Sequence, residues 1–154
     1  MPRILIVDDE PIFLRLVNKV LSGQGYDTVL AENGEKALKI LQGETFDLMI
    51  SDINMTPVNG IELLEKVCKS HAEMPVIIYT EFATIGSAID AMGLGAFDYM
   101  KKPFKLDELV LTVQRALEHN NKYRGKLLKA LMNEEDFLRY AMMCASENKK
   151  RRKN

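Results

Sequence analysis

Three acidic side chains, a hydroxyl and an ammonium each follow a short apolar run in this chain of 154 residues. Asp8 and Asp9 come directly after one run, and Asp52 follows another. Thr80 ends a third run, and Lys102 lies just past a fourth. Clustered carboxylates are unfavourable unless something neutralises them, and carboxylate oxygens are ligands that Mg²⁺ prefers. If these five groups meet, they are suited to hold Mg²⁺ together with a phosphoryl group.

The apolar runs predict short buried β-strands, with helical patterns of apolar residues between them. The predicted strands are Arg3–Val7, Tyr26–Ala31, Phe46–Ser51, Val76–Tyr79 and Ala96–Met100. This alternation predicts an α/β fold, a parallel sheet covered on both faces by helices. Right-handed crossovers limit it to a doubly wound sheet, and five strands favour the flavodoxin-like order 2-1-3-4-5. The second strand is the most polar, so we expect it near an edge. In this order strands one and three are neighbours, which brings Asp8, Asp9 and Asp52 together.

The charge distribution marks a boundary near residue 120. The first 120 residues carry 11 Lys and Arg against 18 Asp and Glu, whereas residues 121–154 carry 10 against 4. We therefore expect one domain over residues 1–120 and a helical extension over residues 121–154. Helix five is expected to run to about Met132, and Asn133 to cap a further helix. The basic run Lys149–Lys153 predicts a disordered end.

Composition limits the cellular setting. No apolar stretch approaches the ~18–20 residues that span a bilayer. The N-terminus lacks the charged-then-apolar layout of a secretion signal. Cys68 and Cys144 lie far apart without metal-ligand spacing, which is typical of reduced thiols in a cytoplasmic protein. His71 and His119 are isolated and are expected at the surface.

Four segments in order carry a resemblance to a known family. They are Ile6–Glu10, Ile50–Asp52, Tyr79–Thr80 and Tyr99–Phe104. Together they resemble the receiver domain of two-component response regulators, over about residues 3–120. The resemblance implies a signalling phosphoacceptor and not an enzyme, with self-catalysed phosphoryl transfer and hydrolysis at most.

The resemblance implies a role for each acidic residue. Asp52 would accept the phosphoryl group from a histidine kinase or a histidine phosphotransfer protein. Asp9 would bind Mg²⁺ directly and Asp8 mostly through water, with the backbone carbonyl of Asn54 completing the protein ligands. Lys102 would contact the phosphoryl group.

The resemblance also implies a switch. The hydroxyl of Thr80 would swing toward the phosphate while the ring of Tyr99 turns inward. The peptide bond before Pro103 would be cis. Phosphorylation would then bias the surface of helix four, strand five and helix five toward binding a partner protein or forming a homodimer. The helical extension is a second candidate for dimerisation.

Two positions depart from the family pattern. Glu81 follows Thr80 where a small residue is usual, and we expect this acid to crowd or repel the phosphoryl group. Thr56 stands where the family commonly has Pro, and Pro57 follows it. Gly60 still has its usual offset, so a changed turn with an intact site is expected.

Several alternatives stay open. Asp8 or Asp9 alone suits an N-cap of the first helix. The whole set also suits a small phosphotransferase or phosphatase, a phosphorelay intermediate, or an adaptor that works without phosphorylation. The basic end suits contact with nucleic acid, although we favour a solvated terminus. The sequence does not identify the stimulus, the kinase or the output target. It also leaves open the oligomeric state and whether this is part of a longer regulator.

Overall fold

The computed structural model describes the backbone of residues 1–55 and 58–131, and side chains to His119. Strands and helices alternate strictly through these residues. The strands are β1 (Arg3–Val7), β2 (Asp27–Ala31), β3 (Leu48–Asp52), β4 (Val76–Thr80) and β5 (Asp98–Lys101). The helices are α1 (Pro11–Gly23), α2 (Gly34–Gly43), α3 (Gly60–Ser70), α4 (Ile85–Gly93) and α5 (Leu106–Leu131).

The strands form one parallel sheet in the order β2-β1-β3-β4-β5. This confirms the predicted flavodoxin-like order and the edge position of β2. Strands β1 and β3 are hydrogen-bonded neighbours, with Ile6 opposite Ile50 and Val7 opposite Ser51. The register therefore sets Asp8, which follows β1, level with Asp52 at the end of β3.

Apolar side chains cover both faces of the sheet, as alternation along each strand requires. On one face Leu5 and Val7 pack with α2, α3 and α4. On the other face Ile4 and Ile6 pack with α1 and α5. The central strands are buried on both sides, which explains why their sequences are continuous apolar runs instead of alternating ones. None of the described helices is long and apolar enough to cross a membrane.

The observed strand ends differ slightly from the predicted ones. Strand β5 begins at Asp98 and not at Ala96, because apolar packing starts before the strand ladder does. Strands β2 and β3 likewise begin at Asp27 and Leu48 and not at Tyr26 and Phe46. Strands β3, β4 and β5 extend one residue further than predicted, so Asp52, Thr80 and Lys101 are their last residues. Helix α5 continues to Leu131, and the domain boundary near residue 120 stays a prediction. Thr56, Pro57, the helix predicted from Asn133 and the basic end lie outside the described residues.

Candidate functional site

Three carboxylates meet where β1 and β3 end. One oxygen from each of Asp8, Asp9 and Asp52 lies within 4.8 Å of the other two. Asp8 is fully buried and Asp52 is 3% exposed, whereas Asp9 faces solvent. The parallel order of the strands produces this meeting, because the carboxyl ends of neighbouring parallel strands share one edge of the sheet. The three oxygens can therefore reach one shared cation that enters from the solvent side.

Neither Asp8 nor Asp9 is the N-cap of α1. Glu10 occupies the N-cap position, and its side chain makes no capping hydrogen bond. The Oδ1 atom of Asp8 instead accepts a 2.9 Å hydrogen bond from the backbone N–H of Glu10. This bond fixes the Asp8 carboxylate at the start of the helix and leaves its other oxygen facing the site.

The ammonium of Lys102 lies between two of the acids. Its Nζ is 3.3 Å from Oδ2 of Asp8 and 3.5 Å from Oδ2 of Asp52, and the residue is 5% exposed. The same Nζ lies 3.9 Å from the ring centroid of Phe13 and 4.7 Å from that of Tyr79. A buried ammonium is tolerable only when it is paired, and here two carboxylates and two aromatic faces surround it.

Tyr79 also belongs to this site, although its place in the Tyr79–Thr80 segment predicted no role for its side chain. Its side chain is fully buried, and its hydroxyl donates a 2.8 Å hydrogen bond to Oδ2 of Asp8. Burial, reinforced by the charge of Asp8, holds the pKa of the Tyr79 phenol well above its ordinary value. The hydroxyl therefore keeps its proton and acts as a donor. The available signal was a tyrosine directly before Thr80 in an otherwise aliphatic strand.

Burial and neighbouring charges act in opposite directions on the Asp52 carboxylate. Burial raises the pKa of Asp52 to about 6, with the positive charge of Lys102 opposing this shift and the charge of Asp8 adding to it. The backbone N–H of Asn54 donates to its Oδ1 at 3.2 Å, which favours the charged form. A cation among the three acids would favour that form further. Asp52 is thus a buried carboxylate whose ionisation depends on the cations around it.

Thr80 is held by the loop that follows β3. The side-chain amide of Asn54 donates to Oγ1 of Thr80 at 2.8 Å, and the backbone N–H of Phe82 donates at 3.3 Å. Thr80 is 1% exposed. Because its oxygen accepts both bonds, its own proton is available for another acceptor in the site.

Tyr99 points to α4 instead of to the acids. Its half-buried hydroxyl lies 2.5 Å from Oγ of Ser87. Ser87 forms a capping box with Thr84, the N-cap of α4, in which each side chain bonds the other's backbone N–H. The side chain on β5 is thereby connected to the first turn of α4.

Gly60 supports the loop that carries Asp52. A Cβ atom at this glycine would lie 2.1 Å from the carbonyl oxygen of Asp52 and 2.5 Å from Cα of Ile53. The N–H of Gly60 donates a 2.8 Å hydrogen bond to the carbonyl of Ile53. The start of α3 therefore packs directly on the backbone of β3, and only a residue without a side chain fits there.

The segment after β5 brings Lys102 into place. Its backbone N–H donates a 2.8 Å hydrogen bond to the carbonyl of Thr80, and the Lys102–Pro103 peptide bond is cis, as the resemblance implied. Glu81 is exposed beside Thr80. The structure thus brings Asp8, Asp9, Asp52, Asn54, Thr80 and Lys102 together. Tyr99 of β5 lies apart from them, with its hydroxyl against Ser87 of α4. The functional role of each residue stays a prediction.

Comparison with known proteins agrees with this geometry. Residues 4–114 match the family described as the response regulator receiver domain. The regulatory protein AtoC of Escherichia coli K12 is 42% identical over 116 residues, which cover 75% of this chain and 25% of AtoC. The DNA-binding transcriptional regulator NtrC of the same strain is 38% identical over 114 residues, covering 74% and 24% respectively. The chain thus spans about a quarter of the length of these relatives.

Solved structures show the same similarity. A CheY-like response regulator receiver domain protein from Methanospirillum hungatei JF-1 superposes with a TM-score of 0.77 at 30% identity. That superposition covers 80% of this chain and 98% of the other. NtrX from Brucella abortus superposes with a TM-score of 0.76 at 35% identity, covering 80% of this chain and 28% of NtrX. The likeness therefore covers nearly all of the Methanospirillum receiver domain and about a quarter of the longer NtrX chain.

Proposed function

This chain belongs to the response regulator receiver domain family, and from that premise we propose that it accepts one phosphoryl group on Asp52. Receiver domains are the signalling phosphoacceptors of two-component systems and interact with histidine kinases. We propose a histidine kinase or a histidine phosphotransfer protein as the donor here. Phosphorylation of Asp52 would then switch the surface formed by α4, β5 and α5.

One observation carries the proposal. Asp52 is a nearly buried carboxylate with two further carboxylates within 4.8 Å of it and an ammonium 3.5 Å from its Oδ2. A structural ion pair needs one partner for each charge, whereas among the described residues these three acids share one ammonium, which lies between Asp8 and Asp52. The excess negative charge is suited to a divalent cation, and the ammonium to the added charge of a phosphoryl group.

The residues present fit Mg²⁺. Asp8, Asp9 and Asp52 would hold it, directly or through water, with the backbone carbonyl of Asn54. These are hard oxygen ligands, and one of the acids opens to solvent, which suits an ion that keeps part of its hydration shell. When bound, the ion neutralises charge on the carboxylates and on phosphoryl oxygens.

The protein contributes to phosphoryl transfer mainly by positioning the reacting groups. An oxygen of Asp52 forms a bond to phosphorus while the bond from phosphorus to the donor's imidazole nitrogen breaks. The electron pair of that broken bond stays on the imidazole. Lys102 turns from the carboxylates to a phosphoryl oxygen, and the hydroxyl of Thr80 donates a hydrogen bond to another phosphoryl oxygen. Later hydrolysis breaks the phosphorus–oxygen bond and returns Asp52 and inorganic phosphate, with turnover limited to this self-catalysed chemistry.

The switch acts through Thr80 and Tyr99. If Thr80 turns toward the phosphoryl group, it makes room for the Tyr99 ring. The contact between the Tyr99 hydroxyl and Ser87 then breaks. This loosens the start of α4, whose outer face already exposes Ile85, Ile89 and Met92 at 82%, 65% and 48%. That apolar face supports a surface for a partner protein or for a second copy of the chain.

Acetyl phosphate tests the phosphoacceptor directly. The wild-type protein with Mg²⁺ should gain one phosphoryl group that hydroxylamine removes, as expected for an acyl phosphate. Omission of Mg²⁺ with EDTA, or the substitution Asp52→Asn, should abolish this gain. The exposed Asp90→Asn serves as a matched control and should be labelled like wild type. Equal labelling of the Asp52→Asn protein would contradict the assignment.

What the phosphorylated chain binds is a separate proposal. AtoC and NtrC are named as regulators, but the match covers only about a quarter of each of those proteins, so DNA binding is not carried over to this chain. Binding of partner proteins, and self-association measured by sedimentation with and without beryllofluoride, tests the proposed surface. Nucleic-acid binding by the basic end is the alternative, and it would be lost at high salt and on deletion of residues 146–154. The cytoplasmic location stays a prediction.

A further inference from the structure

We propose that Tyr79 is a positioning residue of the phosphoryl-transfer site: its hydroxyl holds Asp8 while its ring supports the Lys102 ammonium. This inference rests on the proposed function, because it concerns the rate at which Asp52 is phosphorylated. It adds a residue of β4 that lies opposite Asp52 in the sheet and whose hydroxyl bonds Asp8.

Tyr79 and Lys102 both donate to the same oxygen of Asp8. Oδ2 of Asp8 accepts from the Tyr79 hydroxyl at 2.8 Å and from Nζ of Lys102 at 3.3 Å. The other Asp8 oxygen accepts from the backbone of Glu10. When Lys102 turns to a phosphoryl oxygen, the fully buried Oδ2 therefore keeps a donor. Without the hydroxyl, the departure of Lys102 would leave that oxygen unpaired among protein groups, which opposes the movement.

An aromatic wall lies behind the ammonium. The rings of Phe13, Tyr79 and Phe104 pack on one another, with centroids 5.1, 5.7 and 6.0 Å apart. Lys102 lies over two of these rings, Phe13 and Tyr79. An aromatic face carries no formal charge but attracts an ammonium. The rings therefore limit sideways movement of the Lys102 ammonium and still allow it to exchange one anion for another.

The expected signature separates positioning from plain packing. Tyr79→Phe keeps the ring and removes one oxygen atom. We expect phosphorylation by acetyl phosphate at saturating Mg²⁺ to slow by about tenfold, near the lower limit for a hydrogen bond to a charged group. The effect appears in the rate because Oδ2 of Asp8 has no donor once Lys102 has moved. The affinity for Mg²⁺ should stay the same or rise, because the Asp8 oxygen loses a competing donor. If Tyr79 merely supported the fold, its substitution would lower the labelling rate and the Mg²⁺ affinity together.

The experiment compares four proteins: wild type, Tyr79→Phe, Asp8→Asn and the double variant. Labelling rates are measured with acetyl phosphate, and Mg²⁺ affinity by calorimetry. If Tyr79 acts through Asp8, its substitution has no further effect in the Asp8→Asn background. Three outcomes would each overturn the proposal. The labelling rate of Tyr79→Phe could lie within twofold of wild type, or its Mg²⁺ affinity could fall in parallel with the rate. Tyr79→Phe could also slow labelling equally in the Asp8→Asn background.

Two controls complete the design. Tyr26→Phe removes a hydroxyl from a half-buried tyrosine away from the site and should leave the rate unchanged. Phe13→Leu keeps the Tyr79 hydroxyl and removes one ring from the ammonium, so it should slow labelling about threefold even if Tyr79→Phe folds poorly. A wild-type rate for Phe13→Leu would overturn the role of the aromatic wall. If wild type itself takes up no phosphoryl group, the proposed function fails, and not this inference alone.

Discussion

The side-chain amide of Asn54 donates a 2.8 Å hydrogen bond to the hydroxyl oxygen of Thr80. The bond links the residue two positions after Asp52 to the last residue of β4. It holds the proposed switch hydroxyl beside the site, and the contact between Tyr99 and Ser87 holds the proposed switch ring against α4. Two side-chain contacts therefore stabilise the observed arrangement, and the proposed switch would break both of them.

The first prediction concerns the bond from Asn54. Asn54→Ala removes a hold on Thr80 and leaves the backbone carbonyl in place, so it should shift the switch toward the phosphorylated arrangement. One neutral hydrogen bond is worth about 1 kcal/mol, or roughly a fivefold change in population. Amide NMR shifts of α4 and β5 before and after beryllofluoride measure this shift. Asn33→Ala, which removes the N-cap of α2, should lower stability without moving those shifts; shifts in Asn54→Ala that match wild type would contradict the prediction.

The second prediction concerns the ammonium. Lys102→Met leaves the buried carboxylates of Asp8 and Asp52 without their cation, so the free energy of unfolding in EDTA should fall by about 3 kcal/mol. Mg²⁺ should restore much of this loss and bind more tightly than to wild type, because the competing charge is gone. Urea unfolding with and without Mg²⁺ measures both effects.

Lys101→Met is the matched control for that substitution. Lys101 is the neighbouring residue, and its side chain is exposed, so its loss should change stability little in either condition. If Lys102→Met were as stable as Lys101→Met in EDTA, the ammonium would not be the cation that balances the acids.

The third prediction is a dependence of stability on pH. Because burial raises the pKa of Asp52 from 3.8 to about 6, the folded protein binds more protons than the unfolded chain between these values. The stability contributed by this group is present below pH 3.8 and is lost as pH rises through about 6. Without Mg²⁺, Asp52→Asn should therefore be more stable than wild type by about 3 kcal/mol at neutral pH, with little advantage near pH 3.8. Urea unfolding across this pH range measures the difference, and a constant difference would count against it.

The fourth prediction concerns Gly60. In Gly60→Ala the new Cβ would meet the carbonyl of Asp52, which is backbone and cannot turn away. We expect a loss of about 2 kcal/mol in stability and slower phosphorylation, because the loop after Asp52 must move. Thermal unfolding and acetyl phosphate labelling check the two effects. Gly43→Ala, where nothing lies within 4 Å, should be neutral in both, and equal behaviour of the two variants would refute the close contact.

The fold was predictable because its central strands are buried on both faces. Such strands must be continuous apolar runs, and their alternation with helices leaves few topologies. The residues at which the strands begin and end were less predictable. Ala96 is apolar and buried, yet it precedes the ladder of β5, since hydrophobicity reports burial and not hydrogen bonding.

The polar part of the site was predictable, and its aromatic part was not. Asp8, Asp52 and Thr80 stand out because each ends an apolar run. Tyr79 lies inside such a run, and its partner Asp8 is 71 residues away, so its hydroxyl bond is visible only once the strands are paired. The contact of Phe13 with the lysine likewise depends on how α1 packs on the sheet.

The most direct test of the central claim is to locate the phosphoryl group. Wild-type protein is incubated with acetyl phosphate and Mg²⁺, treated with borohydride to reduce any aspartyl phosphate to homoserine, and mapped by peptide mass spectrometry. The structure predicts homoserine at position 52 alone. Reduction at Asp8 or Asp9, or at no aspartate, would contradict the account.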